Sequence, residues 1–146
     1  MFYSNNFKNL KEIQHCFFSR KNGNSKGIYE SLNCGKGSKD DSKNVDKNLE
    51  IIAKNFKIDR RKLILMNQTH SNNVKIIEKD SDNIKVNADA IVTTKHNLAL
   101  GVLTADCAPI LFFETKKKII GCIHAGWKGA INGVIENTIE KIKELG

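Results

Sequence analysis

The chain has 146 residues, and its 24 lysines and arginines against 16 aspartates and glutamates give a formal net charge of +8. A chain of this length can bury roughly two-thirds of its unfolded surface, so it can form a core without disulfides. The four cysteines form no CxxC pair and the N-terminus lacks an apolar signal core, so we expect a cytoplasmic protein. No apolar stretch reaches the ~20 residues of a membrane span, and the lysines do not alternate with aromatic residues, so we expect no membrane and no nucleic acid as partner.

The spacing of apolar residues predicts the elements of the first half of the chain. A strand is predicted over residues 13–19, and a long loop rich in Gly, Asn, Ser and Lys follows it. Loops of that length inside a compact domain are usually functional or disordered. Apolar residues at helical spacing then predict a helix over residues 45–56, with Asp41 or Ser42 as its N-cap.

The second half of the chain changes to short apolar segments that are typical of strands. These segments cover residues 62–70, 73–78, 88–94, 98–104, 110–114 and 118–124. Residues 129–145 carry apolar side chains along one face with a period of 3.6, which predicts a single helix. The order favours the α+β class, with a mixed β-sheet sandwiched with helices in a single domain, residues 1–146.

His70, Cys107 and His124 lie at or beside the ends of these apolar segments. Two imidazoles and one thiolate form a three-ligand set that leaves a fourth tetrahedral position open, as in catalytic zinc sites. If the 115–117 turn joins a hairpin, Cys107 and His124 come nearly opposite each other, and Pro109 indicates that regular pairing ends near there. The alternative is that Cys107 is an inert core cysteine, as we expect of Cys122.

Three charged residues near these positions are further candidates. Asp106 adjoins Cys107 and is a candidate general base, unless it caps the following turn. Lys128 lies where His124-Ala-Gly-Trp-Lys-Gly ends a strand and opens a helix, whose N–H groups suit an anion. Arg20 follows the first predicted strand, and its guanidinium could bind a phosphate in bidentate fashion, although a solvated arginine is the default.

Six motifs in order, HCFFSRKNG, SLNCG, NQTHSNNV, ADAIVTT, TADCAPIL and HAGWKG, resemble the laccase-domain family, also called the multicopper polyphenol oxidoreductase or purine nucleoside phosphorylase family. The resemblance runs from about Gln14 to the last residue and implies the laccase-domain fold. It implies a metal-dependent enzyme that converts adenosine, inosine or methylthioadenosine and phosphate to the base and ribose 1-phosphate, with adenosine deaminase side activity. The implied metal is zinc, with copper as the alternative.

The resemblance also implies roles for individual residues. It assigns His70, Cys107 and His124 to the metal. In addition to what the resemblance implies, we assign catalytic roles to Asp106, Cys107 and His124. We expect Arg20, Asn33, Cys34 and Lys128 to bind phosphate or nucleoside, although Lys128 stands where family members have arginine. Family chains continue well past Gly146, so we expect a fold that is incomplete at its C-terminus and a pocket that lacks part of its wall.

Three other functions stay open. One is a Cys–His hydrolase that edits peptidoglycan precursors, with Cys107 as nucleophile and His124 as base. Another is copper-based oxidation of phenols, which needs many more histidines than the four present. The third is an inactive, truncated metal-binding fragment. The base preference and a homodimeric state also stay open.

Overall fold

The computed structural model describes residues 1–78 and 86–146. The chain divides into two compact units, Met1–Arg60 and Arg61–Gly146. No helix within the described residues is both long and apolar enough to cross a membrane.

The first unit contains two short 3-10 helices, Asn5–Phe7 and Gly27–Tyr29, and one long helix, α1, Ser42–Asn55. Asp41 is the N-cap of α1, as predicted, and its carboxylate accepts a hydrogen bond from the Lys43 N–H. The buried side chains of α1 recur at helical spacing and include Val45, Leu49 and Ala53. This periodic burial defines the apolar face of the helix.

The strand predicted over residues 13–19 is wrong. The segment makes a single antiparallel bridge, between Phe2 and Phe17. Within the segment, His15 accepts a hydrogen bond from the Ser4 N–H and packs edge-on against Tyr3 and Phe7. A lone β-like segment forms no strand without a neighbour to complete its ladder.

The second unit contains all seven strands of the described residues. A three-stranded parallel sheet has the order β3-β1-β5, and a four-stranded mixed sheet has the order β2-β4-β7-β6. The α+β class is therefore confirmed, with the strands divided between two sheets. The bounds are β1 Leu63–Asn67, β2 Val74–Ile76, β3 Val86–Asn87, β4 Ala90–Thr93, β5 Ala99–Gly101, β6 Ala108–Glu114 and β7 Ile119–Ala125.

Strands β4 and β7 form the centre of the second unit because both of their faces are covered. On one face Ile91 and Cys122 join Ile64 of β1 in a core that the two sheets share. On the other face Ala90 and Ile123 pack with Val134. Complete burial of an isoleucine such as Ile91 stabilises the fold by roughly 1.5–3 kcal/mol.

The single helix predicted over residues 129–145 is wrong, because the structure has two helices there. They are α2, Trp127–Ile131, and α3, Val134–Glu144. Gly133 interrupts them with a φ of 83°, a left-handed conformation that glycine adopts readily and that an α-helix cannot continue through. Helix α3 packs against β2, β4 and β7.

The structure confirms the hairpin that the sequence predicts, formed by β6 and β7. Its ladder runs from Glu114 opposite Ile119 to Ala108 opposite Ala125. Pro109 pairs opposite His124, two residues beyond Cys107, and the ladder ends at the next pair, so the expectation that regular pairing ends near Pro109 is confirmed. Strand β6 lies at the edge of its sheet in the described part of the chain, where a missing N–H is tolerated.

Candidate metal centre

Three side chains that the sequence singles out converge in the second unit. His70 follows the end of β1, Cys107 directly precedes β6, and His124 lies near the end of β7. One nitrogen of each imidazole and the Cys107 sulfur all lie within 4.8 Å of one another. Cys107 Sγ is 3.9 Å from His70 Nε2, and the two imidazole rings meet edge to face with their centroids 4.7 Å apart.

These donor atoms could hold a metal ion. Zinc binds thiolate sulfur at ~2.3 Å and imidazole nitrogen at ~2.0–2.1 Å, so two such ligands in a tetrahedral site lie about 3.6 Å apart. The 3.9 Å between Cys107 Sγ and His70 Nε2 is close to this value. His124 is buried, Cys107 is half-buried and His70 is exposed, so the cluster is anchored in the core and open to solvent.

Asp89, which the sequence analysis treats only as part of a strand, lies directly behind the cluster. Its side chain is fully buried, and its Oδ1 atom lies 2.9 Å from His124 Nδ1 and 2.9 Å from the His70 backbone nitrogen. Burial alone would raise the pKa of Asp89, but hydrogen bonds from His124, Ser71 and Thr69 outweigh burial and lower the pKa to about 2. Asp89 is therefore an anion at neutral pH.

Gly126 forms the wall of the cluster beside Cys107. A Cβ atom at this position would lie 2.9 Å from His70 Cδ2 and 3.2 Å from Cys107 Sγ. Any larger residue would displace at least one of the two side chains, so the absence of a side chain at Gly126 leaves the space in which they meet.

We expect Gly126→Ala to lower the affinity for zinc roughly tenfold, because overpacking costs roughly 1–3 kcal/mol and here the strain falls on two ligands. The φ of −71° at Gly126 suits any residue, so the effect is steric. Chelator competition measures it. Gly37→Ala is the control, because a Cβ there meets nothing within 4 Å. Unchanged affinity in Gly126→Ala would contradict the steric argument.

Asp106 lies beside the cluster, whereas Lys128 lies on helix α2. Asp106 is exposed, and its Oδ1 atom lies 3.9 Å from Cys107 Sγ. Lys128 is exposed on α2, and its Nζ lies 5.5 Å from the centre of the Trp127 ring. Trp127 is itself 69% exposed, so its side chain does not pack into the core.

Arg20, Asn33 and Cys34 lie in the first unit, where their polar groups contact their own loop. Arg20 donates to the backbone carbonyls of Glu30 and Ile28. Asn33 donates to Ser38 and Asp40 and accepts a hydrogen bond from the Gly35 N–H. Burial raises the pKa of the Cys34 thiol to about 11, so this cysteine is a neutral thiol at pH 7. Their binding roles stay predictions.

The buried Cys122 is the core residue that the sequence predicts. Its side chain lies between the two sheets, and burial raises the pKa of its thiol to about 12. A thiol held in this state is a poor ligand and a poor nucleophile. Of the two cysteines of the second unit, Cys107 is therefore the one that could hold a metal ion.

Comparison with known proteins identifies the family and its relatives. A family model described as multi-copper polyphenol oxidoreductase laccase matches residues 14–146. A Corynebacterium glutamicum protein named purine nucleoside phosphorylase is 40% identical over 138 residues, 93% of this chain and 56% of that protein. A Streptomyces coelicolor protein with the same name is 36% identical, over 89% of this chain and 54% of that protein. The chain spans about half the length of the curated relatives it matches.

Solved structures share the fold. The Neisseria meningitidis protein NMB0706 matches with a TM-score of 0.76 and 35% identity, over 85% of this chain and 50% of that chain. The Bacillus licheniformis hypothetical protein YfiH matches with a TM-score of 0.79 and 27% identity, over 83% of this chain and 48% of that chain.

Proposed function

The chain belongs to the multi-copper polyphenol oxidoreductase laccase family, and on this premise we propose that it binds zinc and acts in the phosphorolysis of purine nucleosides. The observation that carries the proposal is the convergence of His70, Cys107 and His124 within 4.8 Å. The relatives named purine nucleoside phosphorylase support the choice of reaction.

Zinc is preferred over copper on the chemistry of the residues. Two imidazoles and a thiolate with an open fourth position are typical of catalytic zinc sites. Oxidation by several coppers needs many more histidine ligands than this chain has, since it contains four histidines in all. One of them, His15, accepts a hydrogen bond from the Ser4 N–H in the first unit.

Phosphorolysis of a purine nucleoside requires an attacking phosphate, a departing purine and a source of a proton for that purine. A phosphate oxygen forms a bond to C1′ of the ribose while the C1′–N9 bond breaks, and the departing purine takes up a proton. When bound, zinc supplies a Lewis acid at an open position. Asp106 is proposed to hold or move a proton at its exposed carboxylate beside Cys107.

The remaining contacts and the second activity are proposals of the same kind. Arg20 and Lys128 are proposed to bind phosphate, and Asn33 and Cys34 to bind nucleoside. Deamination of adenosine is proposed as the side activity, in which a water oxygen adds to C6 and ammonia leaves. Zinc deaminases carry out this chemistry with a comparable ligand set of histidine and cysteine.

Removal of the metal tests the proposed reaction. The full chain should release hypoxanthine from inosine only when phosphate is present, lose this activity when a chelator removes the metal, and regain it with added zinc. Chromatography of the products measures all three, and inosine formed from adenosine reports the deaminase. Base release that does not depend on phosphate, or the absence of any turnover in the zinc-loaded chain, would contradict the proposal.

A metal-free Cys–His hydrolase is the second candidate. Cys107 lies 3.9 Å from His70 Nε2, and Asp89 lies 2.9 Å from His124, so the cluster contains a thiol with two imidazoles, one of them oriented by a carboxylate. The structure favours His70 over His124 as the base in this scheme, since its nitrogen lies within contact distance of the sulfur. Peptide hydrolysis that persists after chelation would support this candidate.

A further inference from the structure

We propose that Asp89 is the positioning residue of the metal centre, holding both histidines in the arrangement that directs them at Cys107. This inference rests on the proposed metal site. Asp89 directly precedes β4, and its backbone is fixed on both sides: its N–H donates to the Asn73 carbonyl at 3.0 Å, and its carbonyl accepts the His124 N–H at 2.7 Å. The carboxylate therefore stands at a fixed point of the sheet.

The first consequence concerns which ring nitrogen of His124 is free. An ionised carboxylate accepts hydrogen bonds and donates none. Because Asp89 Oδ1 lies 2.9 Å from His124 Nδ1, the proton of the neutral imidazole belongs on Nδ1. The lone pair of Nε2 is then available to a metal ion, as in other sites where a carboxylate orients a histidine ligand.

The second consequence concerns the backbone that carries His70. Three successive N–H groups donate to the Asp89 carboxylate, from Thr69 at 3.2 Å, His70 at 2.9 Å and Ser71 at 2.7 Å. The hydroxyls of Thr69 and Ser71 also donate to Oδ2, at 3.1 and 2.8 Å. Successive N–H groups that converge on one anion form a backbone nest.

The backbone of His70 needs this support. Its φ of 58° lies in the left-handed region, which costs a non-glycine residue roughly 1–2 kcal/mol. The hydrogen bonds to Asp89 offset that cost and hold the turn that carries the His70 ring. One carboxylate thus positions two of the three ligands, His124 through its ring and His70 through its backbone.

Asp89→Asn separates this role from simple packing, because asparagine has nearly the same shape but replaces one acceptor oxygen by an NH₂ group. If the NH₂ group faces His124, Nδ1 must accept and the proton moves to Nε2, where it blocks the metal. If it faces the turn, it opposes the Ser71 N–H. Both orientations disturb a ligand, so we expect zinc affinity to fall about 10- to 100-fold.

Thr93→Val is the matched control. Thr93 is fully buried on β4, and its hydroxyl donates to the Ile77 carbonyl at 2.7 Å, away from the cluster. Both substitutions remove buried hydrogen bonds from the same strand region and should lower Tm. Only Asp89→Asn should change zinc affinity, with Thr93→Val within about twofold of wild type.

Two measurements on the full chain test the proposal: zinc affinity by chelator competition, and the tautomer of His124 by long-range ¹H–¹⁵N correlation in the metal-free wild type. We expect the affinity loss in Asp89→Asn and a proton on Nδ1 of His124 in the wild type. A proton on Nε2, or wild-type affinity in Asp89→Asn, would overturn the proposal. The tautomer decides the matter even if the variant does not fold. If the wild type binds no zinc, the proposed function fails. The tautomer of His124 in the metal-free protein still tests whether Asp89 orients that ring.

Discussion

Cys107→Ser is expected to lower the affinity of the chain for zinc about a hundredfold or more. Structural zinc sites bind with roughly 10–16 kcal/mol through four ligands, so one ligand accounts for about 3 kcal/mol. The thiolate is the only anionic donor of the cluster, and a serine hydroxyl is a far weaker ligand at neutral pH. Titration against a zinc chelator of known affinity measures the change.

Cys16→Ser is the control for this experiment. Cys16 is a free, half-buried cysteine of the first unit, so the same replacement there should leave zinc affinity unchanged. The Tm of metal-free Cys107→Ser should stay close to that of the wild type, because Cys107 makes only weak contacts with its neighbours. If both serine variants bind zinc as tightly as the wild type, Cys107 is not a ligand.

Asn48→Ala is expected to lower the free energy of unfolding by about 3 kcal/mol. Asn48 is fully buried, and its amide donates to Ser25 Oγ at 2.9 Å, the Ser31 carbonyl at 3.2 Å and the Asn33 carbonyl at 2.8 Å. Its Oδ1 atom accepts from the Asn24 backbone N–H at 2.7 Å and side-chain amide at 3.2 Å. Each buried group left without a partner costs roughly 1–3 kcal/mol.

Urea unfolding followed by circular dichroism measures this loss, and hydrogen exchange shows where it acts. The amides of Asn24 and Ser25 should exchange faster in Asn48→Ala, because the side chain that anchors their loop to α1 is gone. Lys47→Ala is the control, since Lys47 is the exposed neighbour on the same helix. Equal stability of the two variants would show that the network around Asn48 is not an anchor.

The elements with a clear apolar period could be predicted from the sequence. Helix α1, its Asp41 cap and the β6–β7 hairpin agree with the prediction because local patterning determines each of them. The strand over residues 13–19 is wrong because apolar residues alone do not supply a pairing partner. The break between α2 and α3 depends on one glycine, Gly133, whose φ the pattern does not reveal.

The metal ligands could be proposed from the sequence, but the neighbouring residues that hold them in place could not. Asp89 is one acidic residue before the buried Ala-Ile-Val-Thr of β4, and its role arises only when two distant segments, residues 69–71 and His124, meet at its carboxylate. A signal was present, since an acidic residue beside a fully buried strand is costly unless it is hydrogen-bonded. The role of Gly126 could not be predicted either, because it depends on how closely the side chains of His70 and Cys107 approach this residue.

The residues of the first unit that we predict to bind phosphate or nucleoside illustrate a second limit of prediction from sequence. The sequence shows that Arg20 and Asn33 are polar residues near a long loop, which is compatible with ligand binding. It does not show that Arg20 donates to carbonyls of that loop or that the Asn33 amide is bonded to Ser38 and Asp40. Such contacts depend on the path of the loop, which local propensity does not determine.

The ligand set of the bound metal is the central claim, and X-ray absorption at the zinc edge tests it most directly. The full chain, loaded with one equivalent of zinc and freed of excess metal, should retain about one zinc ion per molecule. Its spectrum should fit one sulfur at ~2.3 Å and two imidazole nitrogens at ~2.0–2.1 Å, with a further light atom at the open position. Retained zinc without a sulfur neighbour, or no zinc retained at all, would contradict the assignment of His70, Cys107 and His124 as the metal centre.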